Sequence, residues 1–287
     1  MRLSLISDEV SQNLRVAAEF AHRYSIEGLE LRSVENTNIF SFTDEMAKET
    51  ARILQGEGLC VSCLSAPLFK FAIDDENARK KCIESFRRAI EHCALFGCSL
   101  IRGFAFLRPE DGNIPYTKIA AAYHGILPLL DGTAITVCLE SDPTVNGRSA
   151  RELVRCIEAI GSEKVQAVWD AGNLLFVPEG EDAQTSFDLL RPYIRHVHVK
   201  DSVRLPEGGA KAVRIGTGEA DTALQMKLLA SVGYSGWMSL ETHYRLDKSL
   251  DEALIRTPGG AEFSHGGYAA SAESMESWLP LISVAKR

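Results

Sequence analysis

The stretch Ile194-Arg195-His196-Val197-His198-Val199-Lys200 places an imidazole at the end of a short apolar run that is typical of a buried strand. Three further runs end on a carboxylate: residues 134–140 on Glu140, 165–170 on Asp170 and 236–241 on Glu241. Burying such a group is unfavourable unless it is paired or binds a metal. The simplest explanation is one shared site around a divalent cation, whose charge offsets the repulsion among three carboxylates.

Strand-like and helix-like segments alternate eight times along the chain. Strands are predicted at residues 3–7, 28–32, 59–64, 99–103, 134–140, 165–170, 196–200 and 237–241. Helices are predicted at 13–24, 43–55, 75–96, 115–130, 149–160, 183–190, 222–232 and 267–284. Such a series indicates the α/β class and a parallel sheet closed into a (β/α)8 TIM barrel. We expect a single domain over residues 1–287.

Composition narrows the classes of function. The net charge of -8 argues against a nucleic-acid partner, because affinity for phosphate backbones comes from clustered Lys and Arg. No run approaches the ~20 apolar residues of a membrane span, so no membrane partner is expected. The seven cysteines lack the spacing of a secreted scaffold and no leader-like segment is evident, which predicts a cytoplasmic protein. Assembly into a homo-oligomer is compatible with these features.

Position along the strands predicts which side chains face a substrate. Alternate residues of a strand share a face, so His196, His198 and Lys200 point the same way. Lys200 is nearer the open end and is expected to contact substrate, whereas His196 lies deeper. Two long glycine-bearing connections, residues 202–219 and 242–266, follow the last two strands and are candidate lids, since barrel active sites lie at this face.

Five motifs in this order resemble the sugar isomerase/epimerase superfamily with the xylose-isomerase-like TIM barrel, which is related to AP endonuclease family 2 and includes the endonuclease IV proteins. The motifs are Leu139-Glu140, Trp169-Asp170-Ala171-Gly172-Asn173, His196-Val197-His198-Val199-Lys200-Asp201, Gly216-Thr217-Gly218-Glu219-Ala220-Asp221 and Leu240-Glu241-Thr242-His243. The resemblance covers essentially the whole chain. It implies one divalent metal, with Mn²⁺ favoured and Mg²⁺, Co²⁺ or Zn²⁺ as alternatives, ligated by Glu140, Asp170, His198 and Glu241.

The predicted substrate-binding residues are Asn173, Lys200, Arg204, Arg102 and His243. Arg204 matches a position that contacts substrate in ketohexose epimerases of this superfamily. Asn173 stands where several relatives carry histidine, which weakens the endonuclease interpretation. Asn146 replaces an acidic residue of those epimerases, so their exact substrate is not carried over.

Ordinary structural roles compete with several of these predictions. Glu140 could pair with Arg102 or Arg148, and His243 could be a plain loop histidine. Glu30 ends the second strand and could pair with Arg32. The Gly216-x-Gly218 motif could bind an anion at a helix N-terminus, although a tight turn would also explain both glycines.

The resemblance implies isomerisation or epimerisation of a ketose, an aldose or a keto-sugar derivative. A metal-chelated carbonyl would favour loss of the neighbouring C–H proton to give an enediolate. Glu140 and Glu241 would then exchange that proton as general base and acid. A dehydratase or lyase acting on a keto-sugar or keto-inositol at the same site is the alternative. An endonuclease IV-like phosphodiesterase and a nonenzymatic sugar-binding protein are less favoured.

Overall fold

The structure, a computed structural model, describes residues 1–247 and 250–285. In these residues eight parallel strands form a closed barrel, in which each strand pairs with the next and the last pairs with the first. The strands are Arg2–Ile6, Gly28–Leu31, Cys60–Leu68, Leu100–Gly103, Thr136–Glu140, Val165–Asp170, Ile194–Val199 and Trp237–Leu240. The prediction of a single-domain (β/α)8 TIM barrel is confirmed.

Among the described residues, eight helices that follow the barrel strands surround the barrel. They are Leu14–Arg23, Asp44–Gly56, Glu76–Phe96, Tyr116–His124, Ala150–Ile160, Ala183–Leu190, Thr222–Ser231 and Gly267–Ala285. In the third, Asp75 accepts a hydrogen bond from the Ala78 amide, Phe86 and Cys93 are buried, and Gly97 ends the helix in the left-handed conformation. None of the helices in the described part of the chain is long and apolar enough to cross a membrane.

Three segments differ from the sequence-based expectation. The helix predicted at 115–130 ends at His124, and Leu127–Leu130 forms a 3-10 turn that contains Pro128, which has no amide to donate. An antiparallel hairpin, Asp201–Arg204 with Ala210–Val213, begins one residue before the first candidate lid and otherwise lies within it. The second contains the short helices Glu252–Arg256 and Gly260–Ser264. Both long connections therefore contain secondary structure.

Strand register places the predicted site residues at one level of the barrel. Asp170 pairs with His198 between the sixth and seventh strands, and Ser239 pairs with His198 from the eighth. Glu140 is the last residue of the fifth strand, and Glu241 follows the eighth directly. Because parallel strands end at one face, these side chains meet at the C-terminal mouth.

Candidate metal centre

The structure brings together Glu140, Asp170, His198 and Glu241. All four side chains are buried, and one ligand-type atom from each lies within 4.8 Å of those of the others. His198 Nδ1 lies 2.6 Å from Glu140 Oε1 and 3.6 Å from Glu241 Oε2. Three carboxylate oxygens and one imidazole nitrogen form a donor set that suits Mn²⁺, Mg²⁺, Co²⁺ or Zn²⁺.

Asp170 is the carboxylate of this cluster whose charge is least well compensated. Its Oδ2 atom is buried and has no hydrogen-bond partner among the described residues. Burial raises the pKa of Asp170 to about 7, and the charges of Glu241 and Glu140 act in the same direction against the opposing effect of Lys200. Lys200 Nζ is 3.5 Å from Oδ2, beyond a good hydrogen bond, so a divalent cation would offset the remaining repulsion and coordinate this atom directly. The residues present therefore fit a metal.

His198 points to the same requirement. Burial lowers its pKa, but the carboxylates of Glu30 and Glu140 outweigh burial and raise the pKa well above the usual value. The ring is fully enclosed and its Nδ1 faces two carboxylates. This position therefore demands a positive charge, either a proton or a metal ion.

Three of the predicted substrate-binding residues lie beside the cluster. Lys200 Nζ lies 2.6 Å from Glu241 Oε2 and donates to Asn173 Oδ1 at 2.9 Å. Arg102 donates to Glu140 Oε2 at 3.1 Å and to the Ser65 carbonyl at 3.1 Å. The structural alternative for Arg102, pairing with Glu140, is thus observed, yet the same side chain also lines the adjoining pocket.

Asn173 is positioned by the turn that follows the sixth strand. Asp170 Oδ1 accepts a hydrogen bond from the backbone N–H of Asn173 at 2.9 Å. The side-chain Nδ2 of Asn173 donates to the Ser141 carbonyl at 3.0 Å. Gly172 permits this turn to approach the seventh strand, since a Cβ atom there would lie 2.8 Å from the Lys200 carbonyl oxygen. The Asp-Ala-Gly-Asn motif therefore fixes a ligand candidate and a pocket residue together.

A pocket opens above the cluster at the mouth of the barrel. Its wall includes Arg102, Phe104, Asn173, Lys200, His243 and Ile255. His243 Nδ1 lies 3.0 Å from Glu9 Oε1, and the His243 backbone, at φ 44°, donates to Glu9 Oε2. His243 and Ile255 belong to the second candidate lid, so described residues of this connection line the pocket.

Arg32 does not pair with Glu30, contrary to the structural alternative drawn from the sequence. Its guanidinium contacts Asp8 at 3.1 Å, Glu9 at 3.0 Å and Glu241 at 3.1 Å. All of these groups are buried, so Arg32 forms an interior ion pair with one candidate metal ligand, Glu241. Sequence reasoning overlooked Asp8 and Glu9 as site residues, although two acids within three residues of the end of the first strand repeat the signal that identified the other carboxylates.

The Arg204 guanidinium lies at the rim and not at the cluster, which favours a structural role over the predicted contact with substrate. Its guanidinium donates to the carbonyls of Leu175 and Val177, both at 3.1 Å, and of Gly180 at 3.3 Å. These bonds tie the hairpin after the seventh strand to the loop after the sixth. Three backbone acceptors within reach give the side chain a structural position at the rim.

The Gly216-x-Gly218 motif surrounds an internal anion. Asp201 Oδ2 accepts the amides of Gly216 at 2.8 Å and Gly218 at 2.9 Å, while Oδ1 accepts those of Ser202 and Ala220. A Cβ at Gly218 would lie 2.3 Å from Asp201 Oδ1, so glycine is required there. The amides that an external anion would use are already occupied.

Asn146 and His196 are both held by contacts with other protein groups. Asn146 is fully buried and donates to the carbonyls of Ala105 at 2.8 Å and Leu107 at 3.2 Å, so it joins two loops. His196 lies one step deeper in the barrel than His198, as its place on the strand predicts, and its Nε2 lies 2.7 Å from Glu30 Oε2.

Comparison with known proteins places this architecture in a family. The sequence profile described as xylose isomerase-like TIM barrel matches residues 18–274. No protein among curated sequences matches the chain. Among solved structures, the chain is similar to the IOLI protein with a bound zinc atom, at 16% identity, a TM-score of 0.76 and 99% coverage of each chain.

Two further similar structures belong to proteins named for different activities. L-ribulose 3-epimerase has 16% identity and a TM-score of 0.73, with 100% of this chain and 96% of that one covered. The probable 3-DHS dehydratase AsbF from Bacillus anthracis has 17% identity and a TM-score of 0.69, with 96% and 98% covered. At these identities the structures show a shared fold, whereas the profile covers most of the chain. The chain therefore belongs to the xylose isomerase-like TIM-barrel family.

Proposed function

We propose that this protein is a divalent-metal-dependent isomerase or epimerase that acts on a small carbohydrate, a ketose, aldose or keto-sugar derivative. The observation that carries the proposal is that Glu140 and Glu241 belong to one buried cluster and both line the pocket at the barrel mouth. Two carboxylates placed in this way can serve as the general base and the general acid for proton transfer next to a carbonyl. The metal would be held by Glu140, Asp170, His198 and Glu241, with Mn²⁺ as our first choice.

Each proposed acid/base residue has its own cationic partner. Arg102 contacts Glu140, and both Arg32 and Lys200 contact Glu241. When bound, the cation would polarise a substrate carbonyl and the neighbouring hydroxyl. One carboxylate would remove the adjacent C–H proton and the other would deliver a proton to the second carbon or to the opposite face of the first. Lys200, Asn173 and His243 would orient the substrate hydroxyls.

The surroundings of Arg32 weigh against a phosphodiesterase of the endonuclease IV kind, which needs several metals. Glu9, Glu241 and His243 form a second acidic group beside the main cluster. Arg32 already lies 3.0 Å from Glu9 and 3.1 Å from Glu241 and supplies that group with positive charge. A further divalent ion there would face a buried guanidinium, which favours a single metal.

Deuterium exchange tests the proposal. The protein would be stripped with a chelator, reloaded with Mn²⁺, Mg²⁺, Co²⁺ or Zn²⁺, and incubated in D₂O with ketoses, aldoses and keto-inositols. We expect deuterium at the carbon next to the carbonyl and an isomerised or epimerised product, both lost when the chelator is present. Loss of water instead would indicate the dehydratase alternative. A metal-loaded protein that exchanges no substrate proton would contradict the proposal.

A further inference from the structure

The two ring nitrogens of His198 face different partners. Nδ1 faces the candidate metal centre, 2.6 Å from Glu140 Oε1 and 3.6 Å from Glu241 Oε2. Nε2 faces the barrel interior, 3.1 Å from Glu30 Oε1 and 3.2 Å from Glu30 Oε2. The ring is fully buried, so its orientation is fixed by these contacts and by packing.

Glu30 is enclosed in turn. Its side chain is fully buried, and its Oε2 lies 2.7 Å from His196 Nε2, which also lies 3.3 Å from Ser239 Oγ. A carboxylate without solvent is unfavourable unless donors satisfy it. An N–H on Nε2 of each histidine supplies one donor apiece, and the second strand is thereby joined to the seventh.

From this geometry we propose that Glu30 is a positioning residue for the metal centre. It accepts the Nε2–H of His198, which leaves Nδ1 as the ligand nitrogen, and His196 holds the Glu30 carboxylate in place. The inference rests on the proposed metal site. Hydrogen bonding of a ligand histidine to a carboxylate fixes the tautomer and raises the basicity of the ligating nitrogen.

A second metal among Glu30, His196 and His198 is the competing interpretation, because their ligand atoms also cluster. Here one carboxylate already bridges both rings at hydrogen-bond distances, 2.7 Å to His196 and 3.1 Å to His198. An ion at this place would have to displace both contacts. It would also compete for His198 with the larger set of three carboxylates at Nδ1.

Metal affinity provides the first test. Competition with a chromogenic chelator would measure Zn²⁺ and Mn²⁺ affinity for wild type, Glu30→Leu and Glu30→Gln. We expect a loss of about 10- to 100-fold for Glu30→Leu, and a smaller loss for Glu30→Gln, whose carbonyl can still accept the Nε2–H. The control is Glu152→Gln, which alters an ion pair with Arg108. An affinity for Glu30→Leu within threefold of wild type would overturn the inference.

Tautomer assignment provides the second test and does not depend on the variants folding. In Zn²⁺-loaded wild type with ¹⁵N-labelled histidine, His198 should show a protonated Nε2 and a metal-bound Nδ1. The opposite assignment, or Zn²⁺ bound through Glu30 and His196, would overturn the inference. If this signature and the affinity loss appear while no carbohydrate exchanges a proton, the proposed function fails and the role of Glu30 stands.

Discussion

Lys200 Nζ lies 2.6 Å from Glu241 Oε2 and 3.5 Å from Asp170 Oδ2, so an ammonium group adjoins two of the four candidate metal ligands. Burial lowers the pKa of Lys200, but the charges of Asp170 and Glu241 raise it above its usual value overall. The side chain therefore stays cationic. It limits the repulsion among the carboxylates and occupies the wall of the substrate pocket.

Replacing Lys200 with Met should separate these two roles. The apolar stem is kept while the charge is removed, so we expect metal affinity to stay equal or to rise by up to about tenfold, because a cation next to the ion is gone. In contrast, kcat/KM should fall by about 100-fold or more, equivalent to ~2.7 kcal/mol. The control is Lys118→Met, which removes an exposed partner of Asp74. Weaker metal binding with unchanged kinetics would reject the predicted role.

Replacing Glu241 with Gln should abolish proton exchange more severely than substrate binding. The amide keeps an oxygen for the metal but cannot act as a base, so exchange should fall by about 10²- to 10⁴-fold. Metal affinity should fall as well, and the measurement must be made at saturating metal, by following solvent deuterium in the substrate. Turnover within a few fold of wild type would show that Glu241 is not an essential acid or base.

The candidate cluster could be predicted because its signal, a charged group at the end of a buried strand, is visible in a short stretch of sequence. A carboxylate at the end of a buried strand needs a partner, and eight parallel strands end at one face. The sequence shows both conditions, a buried strand end and a parallel strand, for four residues: Glu140, Asp170, Glu241 and the imidazole of His198. Their meeting within 4.8 Å follows from barrel closure, which the alternation of strands and helices predicts.

The pairing partners of individual charged residues could not be predicted in the same way. Glu30 and Arg32 are neighbours in sequence, yet Glu30 pairs with histidines from the seventh strand and Arg32 with acids that follow the first. Both pairings depend on contacts across the barrel that no local spacing encodes. Arg204 is a second example of a partner that the sequence does not reveal. Its position after the seventh strand suggests a substrate contact, but its guanidinium binds carbonyls of another loop.

Replacing Arg204 with Ala should therefore weaken the rim without affecting chemistry. Loss of the bonds to the carbonyls of Leu175, Val177 and Gly180 should reduce stability by about 1 kcal/mol. Hydrogen exchange of residues 174–180 should accelerate, while metal affinity and kcat/KM stay within about threefold. A fall in kcat/KM of tenfold or more with unchanged hydrogen exchange would restore Arg204 as a substrate contact.

Replacing Asp201 with Asn should disrupt the turn after the seventh strand. The carboxylate accepts four backbone amides, two at each oxygen, and an Asn side chain would turn an NH₂ group toward one of these pairs. We expect a loss of about 2–3 kcal/mol in the free energy of unfolding, measured by urea denaturation. The turn amides of Gly216 and Gly218 should lose protection from exchange. Unchanged protection would mean that the turn does not depend on this anion.

Asp142 and Lys70 provide a pH-dependent contribution at the pocket mouth. Asp142 Oδ2 lies 2.7 Å from Lys70 Nζ, and both side chains are only 15% exposed. Burial acts to raise the pKa of Asp142, but the charge of Lys70 and hydrogen bonds from Lys70 and Thr144 lower it overall. A carboxyl group with a lowered folded-state pKa stabilises the protein above its unfolded pKa of about 3.9 and loses that contribution as pH falls through the folded value.

Wild type should therefore exceed Asp142→Asn in stability by about 1 kcal/mol at pH 7, and the difference should shrink as the pH falls below about 4. Urea denaturation of both proteins between pH 7 and pH 2.5 would measure it. The matched control is Asp74→Asn, because the Asp74–Lys118 pair has the same 2.7 Å separation but side chains that are 75% and 61% exposed. Solvent screening should leave that variant close to wild type at every pH. A difference for Asp142→Asn that stays constant as pH falls would show that the lost stability comes from packing or hydrogen bonding and not from the charge of Asp142.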